Sequence, residues 1–329
     1  MSADSLSHTA SLAAADPSSV AEWFIVMSPG SDAEQASQKR EAIREPLQAS
    51  GRRHRFVEIG DGGIVAACDS AARLAAENGG VLVAAGGDGT VNCAAQAALR
   101  YGCPLGVVPM GTFNLFAREH GLPLDPADAV DALLAGQLEP VQAGLVNARV
   151  FLVNASIGLY PQLLEDRENA KKQLGKRQRW IAVAAGLVSL FKWRRRLTLD
   201  AELDGRLTRL RTPSLFVCNN RLQLRRVGID EALVGNVGSG RMVALVAHRL
   251  GAWGKLKLLL RGLVGKLGEA PELDSFGLRS LDVAVPFARR IKVSTDGEVQ
   301  WMTPPLRFSV SPRPLCVMVP LPEQRKPQE

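Results

Sequence analysis

The sequence predicts an α/β protein in two parts, an N-terminal doubly wound, Rossmann-like sheet followed by a β-sandwich-like second domain. Three observations predict it. Residues 22 to about 136 alternate short apolar runs with helix-like stretches, the rhythm of a parallel sheet. Past about residue 140 the alternation stops, and β-rich runs follow one another across turn residues, as in an antiparallel sheet. The Gly/Ser/Thr-rich loops of the first part fall just after its apolar runs, at one edge of the expected sheet.

The expected strands of the first part are WFIVM (23–27), RFVEI (55–59), VLVAA (81–85) and PLGVV (104–108), the last ended by Pro109. Between them lie SDAEQASQKREAIREPLQAS, GGIVAACDSAARLAAENGG and TVNCAAQAALR, each patterned as a helix. Pro46 predicts a break in the first of these helices. In the second part, VQAGLV, ARVFLVNASI, RLTLDAELDG, TPSLFVCNN, RMVALVA, SLDVAV, RIKVSTDGEVQW and LRFSVSP read as strands of an antiparallel sheet or sandwich. The expected divisions are a disordered lead over 1–21, an α/β domain over 22–140, a β-rich domain over 141–320 and a disordered tail over 321–329.

Composition narrows the class. A chain of 329 residues with 46% hydrophobic content can bury sizeable cores. Its five cysteines are scattered and never spaced C-x-x-C, and its four histidines are far apart, so neither a disulfide framework nor a local zinc site is expected. The lead lacks the basic start and apolar core of a signal peptide, and no apolar run approaches the roughly 20 residues that span a bilayer. A cytoplasmic protein is expected.

Net charge is +7, and its placement is uneven. Residues 171–196 carry nine Lys/Arg and no acid, and residues 249–268 carry five and no acid. The rest of the chain then holds 26 basic against 33 acidic residues. Two basic, apolar segments with Trp180, Trp193 and Trp253 at or near their edges suit an anionic bilayer, which predicts peripheral association with the inner membrane face. Two ordinary helices with solvated basic faces would give the same pattern. Nucleic acid is not the expected partner, because few aromatics are interleaved as stacking platforms. A homodimer is left open.

The stretch VLVAAGGDGTV (81–91) poses the chemical question of why one carboxylate stands inside a glycine loop. Neither G-x-x-x-x-G-K-[ST] nor G-x-G-x-x-G is present. Gly86, Gly87 and Gly89 nevertheless permit positive φ and close approach of a ligand, and amides at a helix start can face an anion. Asp88 would repel a bare phosphate, so in a phosphate site it acts through Mg²⁺ or by orienting a neighbour. The plainer alternative is that Asp88 caps a helix beginning near Thr90.

Two further loops share that sheet edge. SPGSD offers Ser28, Gly30 and Ser31, and PMGTFNLFAR offers Gly111, Thr112, Asn114 and Arg118. Three such loops converging beyond the carboxyl ends of strands favour a nucleotide phosphate site. A fourth element, VSTDGEVQW (293–301), carries the hairpin signal Asp296-Gly297 and a carboxylate pair, Asp296 and Glu298, able to accept a proton from an attacking hydroxyl.

Taken in order, GGDGT (86–90), PMGTFNLFAR (109–118), FLVNASIG (151–158) and DGE (296–298) resemble the diacylglycerol kinase catalytic family, which includes bacterial lipid kinases and is related to sphingosine and ceramide kinases. The resemblance runs over roughly 22–320. GGDGT is shared with NAD kinases, whereas P-x-G-T-x-N-x-x-A-R is much more specific. The resemblance implies a nucleotide-binding α/β domain, a β-sandwich-like lipid-substrate domain with the active site between them, and transfer of the ATP γ-phosphate to a lipid hydroxyl. By matching position, Gly86, Gly87, Asp88, Gly89, Thr90, Val91, Asn92 and Thr112 line the nucleotide site, with the loop 28–31 beside it. Mg²⁺ is implied as cofactor with Asp88 as ligand. The general base is assigned to the acidic motif, Asp296 with Glu298, although in related sphingosine kinases the acid matching Asp88 takes that role.

Departures from the family pattern are Ser28-Pro29 where Asn-Pro is usual, Leu115 where Asp is common, and Ser239-Gly240 where many relatives carry Asp-Gly at a further, structural magnesium site. That further site is therefore in doubt. The rival readings are an NAD kinase, which leaves PMGTFNLFAR unexplained, and a silent nucleotide- or lipid-binding module.

Overall fold

The structure, a computed structural model, describes residues 20–28, 33–162, 164–165, 197–203, 206–247, 268, 270, 273–286 and 288–326. The basic stretch 171–196, and 249–268 apart from Gly268, lie outside these residues, so the expected membrane-facing helices do too. Among the described residues no helix is long and apolar enough to cross a membrane.

The chain divides into two compact units, 1–143 with 311–329, and 144–310. The first unit runs β1 (Trp23–Met27), α1 (Ala33–Ala49), β2 (His54–Phe56), α2 (Gly63–Glu77), β3 (Val81–Gly86), α3 (Asp88–Tyr101), β4 (Leu105–Pro109), α4 (Leu115–Glu119), α5 (Pro126–Leu134) and β5 (Gln137–Val141). Its sheet has the order β2-β1-β3-β4, continued by a strand from the far end of the chain, Leu315–Val319, and then by β5. The first four strands are parallel, in registers such as Ile25↔Val83 and Ala85↔Val108. β1, β3 and β4 are almost continuously buried, the pattern of a sheet covered on both faces. Alanines make the helix packing close: α2 buries Ala67, Ala71, Ala72 and Ala75, and α3 buries Ala94, Ala95, Ala97 and Ala98.

Four expectations need correction in this unit. β2 ends at Phe56, one residue before the Val57 N–H makes a last bond to the Ile25 carbonyl at 2.8 Å, and exposed Glu58 beyond it pairs with Arg40 at 2.6 Å. Pro46 does not break α1; it sits in the last turn, where it removes one hydrogen bond, and fully buried Ile43 and Leu47 hold that turn in place. Pro109 is the last residue of β4 rather than its terminator. The largest change is at the C-terminus. The expected bounds carry the second domain to residue 320 while leaving open which sheet Leu315–Val319 joins; Val317 pairs in parallel with Leu105 and antiparallel with Glu139, filling the gap between β4 and β5. The tail to 326 follows it: a 3-10 turn spans Pro322–Gln324, and the Lys326 N–H donates to the Gly121 carbonyl at 2.9 Å.

The second unit contains β6 (Gly144–Val146), β7 (Arg149–Phe151), β8 (Asn154–Gly158), β9 (Leu197–Leu203), β10 (Arg206–Thr212), β11 (Ser214–Cys218), α6 (Arg221–Arg226), α7 (Glu231–Val234), β12 (Met242–Ala247), β13 (Leu273–Leu278), β14 (Ser280–Ala284), β15 (Ile291–Thr295), β16 (Glu298–Met302) and β17 (Leu306–Val310). The strand Leu315–Val319 is β18. The strands form two sheets of the orders β10-β9-β14-β17-β6-β7 and β13-β12-β11-β8-β15-β16, with antiparallel pairing throughout. Alternate residues of both sheets enter one apolar cluster: Phe151, Leu199, Leu281 and Phe308 from the first, Ile157, Leu215, Met242 and Val293 from the second. The opposite face of β11 and β12 packs on Leu224, Ile229 and Val234 of the α6–α7 region.

Candidate active site

The carboxylate in the glycine loop does not cap its own helix. α3 begins at Asp88 itself, its N-cap is Gly87, and no side chain bonds that cap. Asp88 reaches instead across to the next loop, where Oδ1 accepts from the Leu115 N–H at 2.8 Å and Oδ2 from the Asn114 N–H at 3.0 Å. These amides open α4, so Asp88 caps a helix 26 and 27 residues further along. Asn114, left-handed at φ 49°, closes its own turn: Oδ1 accepts from the Gly111 N–H at 2.9 Å and Nδ2 donates to the Gly111 carbonyl at 3.0 Å. GGDGT and PMGTFN are therefore one clamp. Burial pushes the Asp88 carboxyl above its ordinary value, against the amide bonds, which pull it down.

None of Gly86, Gly87 and Gly89 adopts positive φ, so the expected conformational reason for them is wrong for this loop. Close approach remains as the reason. A Cβ on Gly86 would meet Thr90 Oγ1 at 2.5 Å, and a Cβ on Gly111 would meet the Gly87 Cα at 2.5 Å. The two loops touch backbone to backbone.

Beside the clamp an open cavity of about 140 Å³ is lined by Met27, Ser28, Ala36, Lys39, Gly86, Gly87 and Met110. Its walls are fixed by the sheet, since the Ser28 N–H donates to the Ala85 carbonyl and the Met110 N–H to the Gly86 carbonyl, both at 2.9 Å. Of the expected nucleotide residues, Ser28, Gly86 and Gly87 line this cavity. Thr90, Val91 and Asn92 are buried in α3, Asn114 is buried under its turn, and Gly111 and Thr112 are exposed. Gly30 and Ser31 lie outside the described residues. Lys39 was not anticipated. The signal for it was present, because Ala36, Lys39, Ile43 and Leu47 share one helix face and the two apolar residues deeper in it are fully buried.

The cavity lining offers no carboxylate, and both Asp88 oxygens go to amides. Among the described residues no three His, Cys, Asp or Glu side chains come together to hold a metal ion. Asp88 therefore serves first to hold the Asn114–Leu115 turn, with one amide on each carboxylate oxygen. The loop carrying Ser239-Gly240 is tied by a cation of the protein itself, as Arg221 Nε and Nη2 donate to the Val237 carbonyl at 2.8 and 2.5 Å. Four of the five thiols are kept protonated by burial, which pushes Cys68, Cys103 and Cys218 up to about 12 and Cys316 to about 11.

In the second unit Asp296 (φ 49°) and Gly297 (φ 91°) form the two-residue turn between β15 and β16, the turn their dipeptide favours. The Asp296 carboxylate is again committed to backbone. Oδ2 accepts from the Leu152 N–H at 2.7 Å, and Oδ1 from the Val153 and Asn154 N–H groups at 2.8 and 3.0 Å. The Asp296 N–H in turn donates to the Asn154 carbonyl at 2.9 Å. The start of FLVNASIG supplies these partners, which gives that motif its physical purpose. Glu298, the first residue of β16, stands exposed.

Residues 22–146 match the family model of the diacylglycerol kinase catalytic domain. This segment belongs to the diacylglycerol kinase catalytic family. Over 110 residues the chain is 37% identical to a diacylglycerol kinase of Staphylococcus saprophyticus, covering 33% of this chain and 36% of that one. Over 131 residues it is 35% identical to a diacylglycerol kinase of Bacillus subtilis (strain 168), covering 39% and 42%. The matches thus span about two fifths or less of these curated relatives. A crystal structure of a diacylglycerol kinase from Bacillus anthracis str. Sterne has the same fold, with a TM-score of 0.66 at 17% identity over 92% of this chain and 98% of that one. The family segment holds the whole Asp88–Asn114 clamp; Asp296 and Glu298 lie beyond it.

Proposed function

We propose that the protein is a lipid kinase that transfers the γ-phosphate of MgATP to the hydroxyl of diacylglycerol or a similar lipid alcohol. The observation that carries this reading is the family segment with its GGDGT–PMGTFN clamp bordering a cavity at the carboxyl edge of a parallel sheet. On this reading the first unit is a Rossmann-like nucleotide domain and the second a β-sandwich-like acceptor domain. Magnesium bound together with the nucleotide would supply charge neutralisation to the phosphates, as is usual for this ion.

In the transfer, the acceptor hydroxyl oxygen forms a bond to the γ-phosphorus, the bond to the β–γ bridging oxygen breaks, and ADP leaves with that electron pair. The hydroxyl proton needs an acceptor. Both Asp296 oxygens are bonded to backbone amides, whereas Glu298 is exposed, so the proton goes to Glu298 and Asp296 positions its turn. This reverses the preference that the motif alone suggested. The two acid-free basic stretches, 171–196 and 249–268, support a membrane surface rich in anionic lipid as the place of reaction.

The test incubates the protein with γ-labelled ATP, Mg²⁺ and mixed micelles of diacylglycerol, ceramide, sphingosine and monoacylglycerol, with NAD in a parallel tube. Label in one lipid product supports the reading and names the acceptor class. Label in NAD alone, or in nothing while ATP still binds, overturns it.

A further inference from the structure

The cavity beside the glycine loop is lined by six uncharged residues and one cation, Lys39. Helical spacing explains why that cation is where it is. Ala36 and Lys39 are three residues apart on α1 and face the same way, and the stripe continues into Ile43 and Leu47, both fully buried. A lysine on this stripe occupies a position where pattern alone would bury an apolar side chain. Lys39 is accordingly half-buried, not a solvated surface charge.

Its neighbours show how the other cations of this unit are used. Arg40, the next residue, pairs with Glu58 at 2.6 Å and lies over the Phe56 ring at 4.4 Å. Arg73 pairs with Glu77 at 3.1 Å, and Arg100 with Asp69 at 2.9 Å. Arg313 donates to the Leu99 carbonyl at 3.2 Å. Lys39 makes no hydrogen bond or ion pair among the described residues. A partly desolvated cation without a partner is costly unless an anion completes it. Asp88, the acid of the adjacent glycine loop, does not pair with it and bonds the Asn114 and Leu115 amides instead.

We propose that Lys39 is the cation of the phosphate subsite in this cavity, contacting the polyphosphate of a nucleoside triphosphate. The proposal rests on the nucleotide-binding part of the lipid-kinase reading and not on the acceptor. The opposing walls suit that ligand: Gly86 and Gly87 present backbone without side chains, and Ser28 a hydroxyl. A lysine supplies a point charge on a flexible stem, so it can follow a phosphate chain without the fixed fork of an arginine.

The experiment is titration calorimetry on the full chain with a non-hydrolysable ATP analogue plus Mg²⁺, with inorganic tripolyphosphate and with adenosine. The proteins are wild type, Lys39→Met, Lys39→Arg and Gln38→Ala, an exposed neighbour. Methionine keeps the length and helix propensity of lysine, and an unchanged melting temperature verifies the fold. Lys39→Met is expected to weaken the analogue and tripolyphosphate by about ten-fold or more. Adenosine binding is expected to stay the same, Lys39→Arg to recover part of the loss, and Gln38→Ala to bind as wild type. Unchanged affinity for the analogue in Lys39→Met overturns the proposal. So does an equal loss for adenosine, which reports damage to the pocket, or a wild type that binds none of the phosphate probes. A wild type that shows the Lys39 effect yet labels no lipid leaves the proposal standing and removes the lipid-kinase reading alone.

Discussion

Asp88 and Asp296 stand in different units, on different kinds of sheet, and are used in the same way. Each is planted in a turn and collects the backbone amides of another segment, two for Asp88 and three for Asp296. The difference lies beside them. Asp88 borders a cavity lined by glycines and one lysine, whereas two residues after Asp296 there is an exposed carboxylate, Glu298. A signature acid can therefore be a fastener whose neighbours do the chemistry. An amide-bonded carboxylate fixes two loops at a definite separation, which is the precision that phosphoryl transfer needs.

Four substitutions would sharpen or break this comparison. Glu298→Gln should have the largest effect, lowering kcat about 10²- to 10⁴-fold with the melting temperature unchanged; a kcat near wild type would return the proton to Asp296. Asp296→Ala strands three amides and should cost about 2 to 4 kcal/mol in chemical denaturation, with activity falling alongside stability. Were it to abolish turnover at full stability, Asp296 would be more than a fastener. Asp88→Ala frees two amides, for which about 1 to 3 kcal/mol is expected, and limited proteolysis should show new cleavage near residues 111–119. Gly111→Ala, whose Cβ would meet the Gly87 Cα at 2.5 Å, should cost about 1 to 2 kcal/mol and weaken ATP binding by pushing the loops apart. Calorimetry that found ATP affinity intact would show that the cavity does not depend on this contact.

How much of this was legible depends on how local each cause is. β1, β3 and β4 announce themselves because a strand buried on both faces must be continuously apolar. The Asp296-Gly297 turn is legible for the same reason, since its φ values are set by the dipeptide itself. What each acid holds is not legible, because the partners of Asp88 are 26 and 27 residues away and those of Asp296 are 142 to 144 residues away. The glycines misled for a related reason: their use is set by Gly111 and Thr90 crowding them, not by their own φ. The face that Lys39 shares is defined by the burial of Ile43 and Leu47, which becomes visible only in the fold.

The position of β18 has a consequence for how the chain is made. It lies between β4 and β5, with its parallel partner at Leu105, more than two hundred residues earlier on the ribosome. All of 144–310 is synthesised between the fifth and last strands of the first sheet. The second unit has its complete complement of strands before the first does, so the unit that begins first in translation is the one that finishes last. A ribosome that stops at residue 310 releases a sheet with a slot open between β4 and the edge strand β5, and a fragment cut at the family boundary of residue 146 carries the same slot.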